Sequence, residues 1–131
     1  MKTLPTWVAC ALMAGLASVA PADDNWSATE ISTAAVRALA APGVSSPVIL
    51  DVRTPEEYAA GHVPGAINIP HDQVRARLAE IDSAKDQPIV VYCRSGRRAA
   101  QALATLHDAG FSRLLHMTGD MLAWDQEAGT K

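Results

Sequence analysis

The chain has 131 residues, 49% of them hydrophobic and 19% charged, and eleven basic against fourteen acidic side chains give a net charge of −3. That length allows one domain with a core of ordinary size, and the acidic balance argues against a nucleic-acid or anionic-membrane partner. The four histidines, at 62, 71, 107 and 116, are scattered, and no Cys/His spacing resembles a metal site.

The first residues read as an export signal. Lys2 supplies a minimal positive start, Trp7 to Val19 is an uncharged apolar run, and Ala20-Pro21-Ala22 offers small residues at the positions a signal peptidase reads. The run is short for a membrane span. Residues 1–22 are therefore expected to be a signal peptide, and 23–131 a single domain in the periplasm or outside the cell. Removing the signal takes away Lys2 and Cys10, which leaves ten basic and fourteen acidic side chains, a charge of about −4, and Cys93 as the lone cysteine. Exported proteins usually pair their cysteines, so a single one suggests a reactive thiol.

Beyond a polar lead-in, Ala28 to Ile31 is predicted as a short edge strand. Ser32 is placed to cap a helix from Thr33 to Ala41, which Pro42-Gly43 ends. Val48 to Arg53 reads as a buried strand ending in charge. Thr54-Pro55-Glu56-Glu57 then meets three helix-start rules together: a capping threonine, proline at the first helical position and a glutamate that closes a capping box. Gly61 ends that helix, and Ala66 to Ile69 is a short strand closed by Pro70. Asp72 is placed to cap a further helix, with Val74, Leu78 and Ile81 on one apolar face.

Ile89-Val90-Val91-Tyr92 reads as the central buried strand. From Ala99 the period changes to that of a helix, with Ala99, Ala102, Leu103 and Leu106 on one face and a stop at Gly110. Arg113 to Met117 is the last strand, followed by a turn and a short helix carrying Met121, Leu122 and Trp124. Strands alternating with helices predict an α/β fold, a mostly parallel central sheet flanked by helices on both faces.

Cys93 thus stands at the carboxyl end of a central strand, where such sheets bind ligands. Cys93-Arg94-Ser95-Gly96-Arg97-Arg98 must turn the strand into a helix start. A short turn containing glycine can aim backbone N–H groups inward as an anion nest, and the helix start adds its own unpaired N–H groups. Arg94, Arg97 and Arg98 add three guanidinium groups, the wrong sign for a helix start and the right sign for an anion. Free cysteines are mostly small buried hydrophobes, with a thiol pKa of about 8.5. Lowering that by about two units needs roughly 2.7 kcal/mol, within reach of a helix dipole and one or two charge-assisted hydrogen bonds. Cys93 is therefore the candidate nucleophile, with Arg94, Ser95, Gly96, Arg97 and Arg98 as the candidate substrate-binding loop.

Several motifs in order resemble those of single-domain rhodaneses. They are Asp51-Val52-Arg53 followed by Glu56-Glu57-Tyr58, Gly61 to Ala66, Ile89 to Arg98, Leu106 to Phe111, and Gly119 to Trp124, spanning nearly all of the chain from Ile31 to Gly129. One departure is Thr118-Gly119, where the family commonly has two glycines, which implies an altered last turn. The resemblance implies a rhodanese-like fold and a thiosulfate sulfurtransferase: Cys93 takes the outer sulfur of thiosulfate as a persulfide, releases sulfite, and passes the sulfur to cyanide or a thiol. No metal and no cofactor beyond that covalent persulfide is implied. Asp51 and Arg53 resemble family positions that support the active-site loop. His62 is expected to be a turn residue and Trp124 a core or pocket-wall residue.

Two rivals stand beside this reading. Phosphatases and arsenate reductases of the same fold use Cys-x5-Arg, whereas Cys93 to Arg98 is Cys-x4-Arg, one residue tighter. The other rival is a sulfur-carrier or binding module that keeps the loop without the turnover. The expected partners are a small sulfur donor and a thiol or cyanide acceptor, with no stable membrane association once the signal is removed.

Overall fold

The computed structural model describes residues 26–44 and 47–129; the expected signal peptide and Cys10 lie outside the described residues. The elements are β1 (Thr29–Ile31), α1 (Thr33–Leu39), β2 (Val48–Asp51), α2 (Pro55–Ala60), β3 (Ile67–Asn68), β4 (Ile89–Tyr92), α3 (Arg97–Asp108), β5 (Leu114–Met117) and α4 (Asp120–Gly129). The five strands form one sheet in the order β1-β5-β4-β2-β3, and every neighbouring pair is parallel.

Alternation along β4 builds the two layers. Ile89, Val91 and Cys93 face one side, where they pack with Leu50, Val52 and the α3 residues Ala99, Ala102, Leu103 and Leu106. Val90 and Tyr92 face the other, among Ile49, Val63, Met117 and the helix residues Val36, Met121 and Trp124. Side chains of successive strand residues point to opposite faces, so a parallel sheet covered on both sides needs continuous apolar strands. All four residues of β4 are buried.

Local rules set the helix starts. The Ser32 hydroxyl accepts the Ala35 N–H at 3.1 Å and caps α1. Thr54 accepts from the Glu57 N–H while the Glu57 carboxylate accepts from the Thr54 N–H at 3.0 Å, the reciprocal capping box, with Pro55 opening α2. Gly110, at φ 92°, ends the α3 segment in the left-handed region open to glycine.

The helix expected after Asp72 does not form. In its place are two 3₁₀ segments, Arg75–Glu80 and Asp82–Ala84, and the first has no side-chain cap. Helix propensity across Arg75 to Glu80 is good, but non-helical backbone at Arg77 breaks the run. Val74, Ile81 and Ala84 are buried as anchors, and this packing overrides propensity in a short connection. At the chain's end, α4 is longer than expected, running ten residues from Asp120.

Candidate active site

Cys93 follows the last residue of β4 and is 1% exposed. The Gly96 N–H donates to its Sγ at 3.0 Å. Gly96 sits at φ 110°, a left-handed conformation that glycine adopts without steric cost, and it caps α3 without a side-chain hydrogen bond. The turn therefore brings Cys93 back under the start of α3, and no capping side chain occupies the first-turn N–H groups.

Of the expected loop residues, Arg94, Ser95 and Arg97 are exposed, and Gly96 is half-buried. Arg94 lines an open cleft beside the loop together with Arg53, Glu57, Met121 and Leu122. Arg98 departs from expectation. Its two terminal nitrogens hold the Glu57 carboxylate at 2.7 and 3.0 Å, a bidentate pair that ties α3 to α2. This hydrogen bonding to Arg98, opposed by burial and aided by Thr54, holds the Glu57 carboxyl at about 2. Arg98 thus contributes positive charge near Cys93 while its hydrogen bonds go to protein.

Asp51 and Arg53 form a buried structural pair under the loop. Arg53 Nε lies 3.1 Å from both Asp51 oxygens, and its Nη2 lies 2.7 Å from Oδ2 and from the Gly61 carbonyl. The Tyr92 hydroxyl donates to Asp51 Oδ2 at 2.8 Å and accepts the Val63 N–H. Burial works against the charge on Arg53, but its hydrogen bonds to Asp51 and that carboxylate's charge more than offset it. Burial likewise pushes the Tyr92 phenol up. The pair joins the ends of β2 and β4 to the turn at Gly61. His62 is a turn residue, its ring stacked on Tyr58 at 3.7 Å and its Nδ1 2.8 Å from the Tyr58 carbonyl. Trp124 is buried in the core beneath the Arg37 guanidinium.

A further group beside the cysteine is not apparent from the sequence. Asp120 is 1% exposed, and its Oδ1 accepts the Cys93 backbone N–H at 2.9 Å. His116 Nε2 lies 3.0–3.1 Å from both Asp120 oxygens, and its Nδ1 lies 3.0–3.1 Å from the Glu30 carboxylate. The last turn runs through Gly119 and Asp120. Gly119 and Asp120 take positive φ, 77° and 55°, so Asp120 and not Thr118 fills a position suited to glycine. In the sequence Gly119-Asp120 marks only a turn; the burial of Asp120 and its backbone conformation come from the fold.

The family model for the rhodanese-like domain matches residues 33–127. A sulfurtransferase of Allochromatium vinosum is 42% identical over 77 residues, covering 59% of this chain and 70% of its own. The thiosulfate sulfurtransferase PspE of Escherichia coli is 40% identical over 70 residues, covering 53% of this chain and 67% of its own. Among solved structures, the human single-domain sulfurtransferase TSTD1 superposes with a TM-score of 0.64 at 28% identity, over 76% of this chain and 97% of its own.

Proposed function

The chain belongs to the rhodanese-like family, and on that premise we propose that it moves sulfane sulfur from thiosulfate, or a similar donor, to a thiophilic acceptor through a persulfide on Cys93. The observation that carries this reading is the placement of the Cys93 sulfur. It lies at the end of the central strand, accepts an N–H from Gly96, and opens a loop whose Arg94 and Arg97 are exposed.

In this reaction the Cys93 thiolate attacks the outer sulfur of thiosulfate. The new S–S bond forms as the donor's S–S bond breaks, and sulfite leaves with the bonding electron pair. An acceptor such as cyanide then attacks the outer sulfur of the persulfide and departs as thiocyanate, and the thiolate is restored. The two half-reactions share one covalent intermediate and imply ping-pong kinetics. Loop N–H groups, the α3 start and the nearby cations stabilise the thiolate, the persulfide anion and the leaving sulfite.

The same geometry speaks against a phosphatase. Arg98, which closes the Cys-x4-Arg loop, is engaged by Glu57 on both terminal nitrogens. An exported setting, periplasmic or secreted, expected from the sequence of residues 1–22, belongs to the same proposal.

Thiocyanate formation from thiosulfate and cyanide tests the activity. Turnover with double-reciprocal lines that stay parallel across acceptor concentrations is expected. Hydrolysis of a small aryl phosphate in place of sulfur transfer would replace this reading with the phosphatase one. Arg94→Ala should raise the KM for thiosulfate about tenfold with kcat nearly unchanged, the result for a cation that binds ground state and transition state alike. A fall in kcat at constant KM would assign Arg94 to the transition state instead.

A further inference from the structure

The active-site loop is held at Cys93, and closely approached at Gly96, by a carboxylate–imidazole pair. Asp120 Oδ1 accepts the Cys93 N–H at 2.9 Å. At Gly96, whose N–H donates to the Cys93 sulfur, a β-carbon would lie 3.1 Å from Asp120 Oδ2 and 3.6 Å from His116 Cε1. The Cys93–Gly96 hydrogen bond therefore lies against Asp120, which His116 holds in turn. The parallel register supports the pair from behind, since β1 sets Glu30 beside His116.

The protonation state of His116 follows from its neighbours. Each ring nitrogen faces a carboxylate, Nδ1 toward Glu30 and Nε2 toward Asp120. Only an imidazolium donates from both nitrogens; a neutral ring would turn a lone pair on one of the anions. Hydrogen bonding to Asp120 is the largest influence on His116, followed by opposing burial and the contact with Glu30, and together they raise it to about 9. Glu30 comes from β1 and Asp120 from α4, while Ala100, Leu103 and Ala104, the α3 residues that line the same hollow, are uncharged. A buried carboxylate bonded to the cysteine's own N–H disfavours a thiolate on that residue unless a cation offsets it.

We infer that Asp120 and His116 are positioning residues for Cys93: the carboxylate fixes the backbone at the cysteine, and the imidazolium cancels its charge beside the thiolate. This rests on the Cys93 nucleophile proposed above. It goes further by placing control of the thiolate on a residue pair outside the loop.

The test reads the thiolate directly, so it stands even where sulfur transfer fails. Alkylation by iodoacetamide is followed at the Cys93 peptide of the full chain across pH. In His116→Asn, which leaves Asp120 uncompensated, the midpoint should rise by about one unit and the rate at pH 7 should fall roughly fivefold or more. Adding Asp120→Asn keeps an acceptor for the Cys93 N–H and removes the charge, so the double variant should recover to within about twofold of the unsubstituted chain. A purely structural role predicts no recovery, and either that result or an unshifted His116→Asn midpoint overturns the inference. Should the variants fail to fold, NMR titration of the His116 ring in the unsubstituted chain decides. A midpoint near 9 supports the charged pair, and one at the ordinary value of about 6.5 overturns it.

Discussion

Cys93→Ser is expected to reduce thiocyanate formation from thiosulfate and cyanide to the uncatalysed background, a loss of roughly 10³-fold or more. Serine fits the site, since its hydroxyl can still accept the Gly96 N–H that now reaches the sulfur. The change in unfolding free energy should accordingly stay within about 1 kcal/mol. What serine lacks is the chemistry. Its hydroxyl does not ionise near neutral pH, and its oxygen cannot carry the transferred sulfur as a persulfide. Loss of turnover with an unchanged urea midpoint separates the nucleophile from a packing residue. Residual turnover above background would mean that the sulfur is carried elsewhere.

The second large effect is expected on stability. Arg53→Ala removes the partner of a fully buried Asp51 and should cost about 3–5 kcal/mol, because an uncompensated charge stays behind in the core. That is a large fraction of the roughly 5–15 kcal/mol that holds a typical domain together. The substitution also frees the Gly61 carbonyl, which accepts from Arg53 Nη2 at 2.7 Å. Asp51→Asn combined with Arg53→Met should cost much less than Arg53→Ala, since no charge is stranded and the asparagine oxygen can still accept the Tyr92 hydroxyl. Urea denaturation of the single and double variants checks this. A double variant as unstable as Arg53→Ala would show that the geometry of the pair, and not the stranded charge, sets the cost.

The contrast between these two sites shows what the sequence makes legible. Cys93 is readable because its placement depends on neighbours in the chain: an apolar strand before it, a glycine three residues on, a helical period after that. The Thr54–Glu57 capping box and the Ser32 cap are local in the same sense, and both form as read. Arg98 is different. Its partner Glu57 is 41 residues away, and only the packing of α3 against α2 brings them together. The tie from Tyr92 to Asp51 spans the same separation and depends on β2 lying beside β4.

Glu30, His116 and Asp120 were hidden for the same reason. Inserting β5 between β1 and β4 puts His116 beside Glu30 on one side and Val91 on the other. Nothing in the spacing of those residues reports that strand order. The failed helix after Asp72 belongs to another class. There the local pattern of Val74, Leu78 and Ile81 was genuine, but the segment satisfied it with two tight turns and a kink at Arg77. Short connections follow their anchors more than their propensity.

Whether Cys93 carries the transferred sulfur is decided by intact-mass measurement. The chain is incubated with thiosulfate in the absence of acceptor, and then cyanide is added. The expected result is a gain of one sulfur atom, mapped to the Cys93 peptide, that disappears with release of thiocyanate. An unchanged mass with Cys93 shown to be reduced and alkylatable, or a sulfur found on any other residue, would contradict it.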